Sequence, residues 1–184
     1  MIPCLIGVCG FTGAGKTTAL KILRSKVGGD LIYLGQAVYD ELDRRSLQRT
    51  PENERHVRLE LRKADNAAFA KLCRPAITKC LEGGKTALID AVMTLEEYEF
   101  LAGKLTCPVN LLQIDAGIDI RAARLEQRLD RPMTREQAEK RDKVELDTLC
   151  IDRVFAKATH TIVNESSMQA FEAALDGFIA QKVR

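Results

Sequence analysis

The sequence predicts an α/β fold: one domain with a five-stranded parallel sheet covered by helices on both faces. Three observations carry this. Short apolar runs alternate with stretches of helical periodicity along the whole chain. The runs are apolar throughout instead of alternating with polar residues, as strands buried on both faces are. The first run ends in a glycine-rich turn that leads straight into a helix, the start of a strand–helix–strand unit.

Taken in order, Ile2 to Cys9 is an apolar run closed by Gly10 and reads as a strand. Ala19, Leu20, Leu23 and Val27 then recur at helical spacing until Gly28-Gly29 stops them. Leu31 to Leu34 is a second strand, and Gln36 to Leu47 a helix that turns Val38 and Leu42 inward. Thr50 caps, and Pro51 opens, one long helix whose apolar face runs through Val57, Leu61, Ala64, Ala68 and Leu72, with a kink expected at Pro75 and an end at Gly83-Gly84. Thr86 to Asp90 is the third strand. Thr94 and Glu97 form a capping box for the next helix. Pro108 to Ile114 is a strand, Gly117 to Leu129 an amphipathic helix, and Thr134 with Gln137 a second capping box for a helix reaching about Leu149. Thr159 to Val163 is the last strand, and Ser166 or Ser167 caps a final helix burying Phe171, Leu175 and Phe178.

Composition narrows the function. The 184 residues are 46% hydrophobic and 29% charged, an ordinary globular balance. A net charge of +2 is too even for nucleic-acid binding driven by charge alone. No apolar run has the ~18 residues of a membrane span. The opening residues carry no basic segment or small-residue cleavage site, so the expected location is the cytoplasm. The six cysteines form no CxxC pair and the two histidines stand apart, which argues against a zinc site and for reduced, packed thiols.

Gly10-Phe11-Thr12-Gly13-Ala14-Gly15-Lys16-Thr17 fits G-x-x-x-x-G-K-[ST] at every fixed position. Average composition yields this pattern by chance in roughly one chain in a hundred of this length, and a strand before it and a helix after it are what its mechanism needs. Glycines let successive N–H groups wrap an anion, and the helix adds the positive end of its dipole. Lys16 then reaches the β- and γ-phosphates, Thr17 offers its hydroxyl to Mg²⁺, and Thr18 donates to the α-phosphate. Asp90 closes the third strand beside this loop, where a carboxylate holds Mg²⁺ through water or accepts a proton from an attacking hydroxyl; the plain alternative is a strand-end cap.

Arg121, Arg124, Arg128 and Arg131 fall within an arc of roughly 80° on a helix of 3.6 residues per turn, beside the apolar stripe of Ile118, Ala122, Leu125 and Leu129. Arg135 and Arg141 follow. Guanidinium groups suit the charge that develops on a transferring phosphoryl. A solvated face screened by Glu126, Asp130 and Glu139 is the alternative, and it is favoured for Arg121 and Arg135. Arg55, Arg58 and Arg62 share one face of the helix after Pro51 and either grip an anionic acceptor or form surface charge with Glu52, Glu54 and Glu60.

These residues resemble the P-loop nucleoside and nucleotide kinases, adenylate-kinase-like and dephospho-coenzyme-A-kinase-like enzymes included. The phosphate loop close to Met1, the basic segment from Arg128 to Arg141, and Thr161-Ile162-Val163-Asn164 carry the resemblance. It implies a P-loop three-layer sandwich of strand order 2-3-1-4-5, a helical acceptor lobe at about 35–82 and a lid at about 129–141. It implies Arg128 on the adenine or its phosphates, Arg131 and Arg141 on the transferring phosphate, and Asn164 near the base. Gln36 and Tyr39 stand where the family leads to an acceptor arginine, which makes them, with Arg58 and Arg62, the acceptor-side candidates. The expected activity is transfer of the γ-phosphoryl of Mg-ATP to a small nucleotide- or nucleoside-type acceptor by a monomer or small homo-oligomer. Kinases of other small hydroxyl acceptors, dephospho-coenzyme A among them, and a non-catalytic nucleotide-binding protein are the alternatives.

Overall fold

The computed structural model describes residues 2–183. Its chain order is β1 (Leu5–Cys9), α1 (Lys16–Val27), β2 (Asp30–Tyr33), α2 (Gln36–Arg44), α3 (Pro51–Ala64), α4 (Ala68–Glu82), β3 (Ala87–Asp90), α5 (Leu95–Lys104), β4 (Val109–Asp115), α6 (Ile118–Glu126), α7 (Arg135–Leu149), α8 (Ile151–Phe155), β5 (His160–Val163) and α9 (Met168–Lys182). All strand pairs are parallel, in the order β2-β3-β1-β4-β5. The family resemblance implies this order, and the fold class is the one expected.

The sheet divides the core in two. Val38, Leu42, Val57, Phe69, Ile77 and Leu101 pack with β1 and β3 residues on the face covered by α2 to α5 and α8. Leu20, Leu23, Phe171, Leu175 and Phe178 fill the other face under α1 and α9. β1, every residue of which is buried, lies between them at the sheet centre. The edge strands depart from the expected uninterrupted apolar burial. β2 and β5 alternate, leaving Leu31 and Val163 exposed, because an edge strand is covered less completely than a central one.

The long helix expected from Thr50 to Gly83 is two helices. Asp65 is extended (φ −164°, ψ 119°) and its Oδ1 accepts a hydrogen bond from Ala67 N at 2.9 Å, so the chain turns at Asp65–Ala67 and α4 starts afresh. Pro75 lies inside α4, which continues through it as one helix. The helix expected to reach Leu129 stops at Glu126, and α8 is an addition that the sequence reading did not contain. Both capping boxes form, and Ser167 is the cap of α9.

Candidate functional site

The turn after β1 is built around backbone that only glycine fits. Gly10 has φ +136°, and a Cβ there would stand 2.1 Å from the Ile114 carbonyl oxygen of β4. Gly15 has φ +110°, and its Cβ would meet Asn164 Nδ2 at 2.4 Å. α1 then starts with no side-chain cap and no acidic residue in its first turn, as α2 and α4 do, but it alone of the three follows the glycine turn after β1. Its first N–H groups are left for an anion.

Lys16 folds back over this turn and donates to the carbonyls of Gly10 (2.6 Å) and Phe11 (3.0 Å). Burial lowers its pKa to about 8, against the opposing pull of Glu145 and Asp90. Asp90 is half-buried at the end of β3. Burial raises its pKa, and the charge of Lys16 lowers it.

Three side chains hold the loop from behind. Asn164 Nδ2 donates to Ala14 O at 2.8 Å. Arg124 donates to the Asn164 carbonyl at 2.9 Å. Arg121, 4% exposed, donates to Thr12 O and Ala116 O, pairs with Asp142 at 2.6 Å and lies over the Phe11 ring. Arg121 is thus structural, and Arg135, exposed and paired with Asp119 and Glu139, is a surface charge. Arg135 thus matches the solvated face expected for it, whereas Arg121 is not solvated: it is buried, and its charge is met by Asp142 and backbone carbonyls.

Two cavities open beside the loop. The first, about 730 Å³, is lined by Thr12, Gly13, Gly15, Lys16, Thr17 and Thr18 of the loop, by Arg124, Arg128, Arg131 and Arg141, and by Tyr33, Asn164, Ser166 and Met168. Gly10 and Ala14 shape the loop without lining it. The second, about 480 Å³, lies toward α3 and α4 and is lined by Asp90, Arg58, Arg62, Phe69, Met93, Glu145 and apolar neighbours. Thr12, Lys16, Tyr33, Arg131 and Arg141 line both.

Two acceptor-side expectations miss this second cavity. Gln36 spends its side chain on Asp40 (2.8 Å), and Tyr39 packs against Tyr33 and under Arg49. The arginine stripe is also not one helical face: α6 ends before Arg128, so Arg128 and Arg131 reach the first cavity from the loop between α6 and α7, Arg131 with φ +52°. The expected lid, 129–141, is loop to Thr134 and helix beyond it. Tyr33 and Glu145 were not singled out by the sequence reading. The available signals were the place of Tyr33 at the carboxyl end of a strand, as with Asp90, and the i,i+4 spacing of Glu145 from Arg141.

The AAA domain family matches residues 6–147. A UPF0200 protein of Pyrococcus abyssi is 30% identical over 179 residues, covering 95% of each chain. The chain belongs to the UPF0200 family. A second UPF0200 relative, from Aeropyrum pernix, is 31% identical over 177 residues, 91% of this chain and 88% of its own. Among solved structures, this UPF0200 fold is similar to a shikimate kinase from Bacteroides thetaiotaomicron (TM-score 0.62, 14% identity, 97% of each chain). It is equally similar to a gluconokinase from Sinorhizobium meliloti (TM-score 0.62, 14% identity, 98% of this chain and 94% of that one). At that identity the likeness is one of fold, and the fold is that of P-loop kinases. Among the described residues no helix of this UPF0200 protein is long and apolar enough to cross a membrane.

Proposed function

We propose that this UPF0200 protein is an ATP-dependent phosphotransferase of the cytoplasm, moving the γ-phosphoryl of Mg-ATP to a small nucleotide- or nucleoside-type acceptor. The observation that carries the reading is the pair of cavities joined at Thr12, Lys16, Tyr33, Arg131 and Arg141. A donor polyphosphate on the loop ends at this junction, and an acceptor in the second cavity faces the same point.

The residues suit a magnesium ion carried in by the nucleotide. The described residues hold no cluster of three acidic, histidine or cysteine side chains that would cage a metal alone. One hydroxyl, Thr17, and one carboxylate, Asp90, at the loop is a donor set for an ion that keeps its waters and leans on phosphate oxygens. When bound, Mg²⁺ neutralises charge on the phosphates.

This chain's residues supply the rest. The loop amides and Thr18 hold the inner phosphates. Lys16, Arg131 and Arg141 surround the phosphoryl group as its oxygens gain charge, and donors already in place need no reorganisation then. Asp90 orients the attacking oxygen and, where that oxygen is a hydroxyl, takes its proton. Arg58, with no carboxylate partner among the described residues, and Arg62 present cations to the acceptor from α3, within the helices 35–82 that form its lobe. The segment 129–141, bearing Arg131 and Arg141, closes over the site and excludes the water that would otherwise intercept the phosphoryl group. Arg128 and Asn164 flank the nucleoside end.

A second reading, transfer to the hydroxyl of a small non-nucleotide acceptor, is favoured by the structural neighbours being a shikimate kinase and a gluconokinase. Labelled Mg-ATP with a panel of nucleoside monophosphates, nucleosides, dephospho-coenzyme A, hydroxy acids and polyols separates the two. Transfer confined to the nucleotide-like members, lost in Lys16→Ala, supports the first. Transfer confined to the others supports the second. Binding without turnover on any acceptor leaves a nucleotide-binding protein and overturns both.

A further inference from the structure

Besides Asp90, a second acid stands beside the cations of the junction. Glu145, on α7, is 6% exposed and lines the second cavity. Its Oε1 accepts from Arg141 Nε at 2.9 Å, while Oε2 is buried without a hydrogen-bond partner among the described residues. Ala138 is the only other buried residue of α7. The helix therefore settles over the site through charge as much as apolar contact, with Asp142 on Arg121 as its other anchor. A buried carboxylate oxygen with no donor is unfavourable, and neighbouring cations offset it. Those cations come from three elements: Arg141 on the same helix, Lys16 at the start of α1 and Arg62 on α3. Asp90 on β3 and Cys9 on β1 complete the titratable groups around Lys16.

We propose that Glu145 is a positioning and selectivity residue of the transfer site, holding Arg141 and balancing Lys16 while the site is empty, and disfavouring a terminal phosphate until the acceptor arrives. The proposal rests on the phosphotransferase reading. The outermost phosphate of a triphosphate comes to the junction that Lys16 and Arg141 line, closest to Glu145, while a diphosphate stops short of it. Like charges repel far more in such a shielded place than in water. Arg141, whose side chain is half exposed, can turn from Glu145 to the phosphate. Both oxygens of Glu145 then lack donors, and a hydroxyl or amine of the acceptor is the group that restores one.

Calorimetric titration of the full chain with Mg²⁺ and either the β,γ-imido analogue of ATP or ADP tests this at pH 7. Glu145→Gln is expected to tighten the triphosphate about tenfold and ADP less than about twofold, since only the first reaches the removed charge. Glu145→Asp, which keeps the charge, is expected to keep the wild-type ratio. Equal changes for the two nucleotides, or loss of both with a lowered Tm, make Glu145 an anchor for α7 and overturn the proposal. A wild-type protein that binds neither nucleotide overturns the phosphotransferase reading itself, a result distinct from these.

Discussion

Lys16 gives the phosphate loop a measurable pH signature. With the site empty, burial brings its pKa to about 8. A polyphosphate laid against the amine favours the charged form and raises that pKa to its ordinary value of about 10.4 or above. The sign follows. The protonated amine is the form that binds, so affinity is complete well below pH 8, is about halved at pH 8 and then falls about tenfold per unit up to the bound-state pKa. From pH 7 to pH 9.5 the triphosphate is expected to bind about 30-fold more weakly. At pH 8.5 about three-quarters of empty sites lack the proton, so binding takes up roughly 0.7–0.8 proton per site. The terminal phosphate has a second pKa of about 6 and contributes little there. Calorimetry at pH 8.5 in buffers of different ionisation enthalpy reads the uptake directly, with Lys16→Met as the variant that removes it. A flat affinity from pH 7 to 9.5, or an uptake that persists in Lys16→Met, would refute the assignment.

Three further perturbations test separate parts of the site. Gly10→Ala places a Cβ against the Ile114 carbonyl at 2.1 Å, a backbone atom that cannot swing aside; a loss of about 2–3 kcal/mol in urea unfolding, together with loss of triphosphate binding, is expected, whereas Gly84→Ala, at φ +74° in open space, costs about 1 kcal/mol. Arg121→Met removes the guanidinium that joins Thr12, Ala116 and Asp142, and a stability loss of about 3 kcal/mol is expected, because Asp142 loses its partner in a half-dry site; a change under about 0.5 kcal/mol would make the contact incidental. Arg131→Ala is expected to lower turnover about 100-fold while weakening ATP binding less than about threefold, as for a donor that acts on developing charge; equal losses in the two measurements would leave it a ground-state contact.

The central strands were legible because both their faces are buried, and a residue's hydropathy then states its place without reference to any partner. β2 and β5 were legible as strands too, but not their burial, which depends on which strand lies at the sheet edge. Hydropathy failed at Asp65: the apolar spacing from Val57 to Leu72 runs on across the break, and only the side chain's bond to Ala67 N shows that the backbone turns. Arg121 and Arg128 lie seven residues apart with the same chemistry. One supports the loop and the other faces the first cavity, a difference made by the end of α6 and by the position of Asp142 on α7.

The phosphate loop, the capping boxes and the parallel sheet were written in the sequence because each is a local arrangement: a glycine where φ is positive, a threonine three residues before a glutamate or glutamine, an apolar run of strand length. The meeting of two cavities at Lys16, the exclusion of Gln36 and Tyr39 from them, and the burial of Glu145 among cations were decided by tertiary structure alone. Those facts depend on how α3, α4 and α7 pack around one sheet edge, and distances between residues far apart in the chain are set by packing, not by spacing along it.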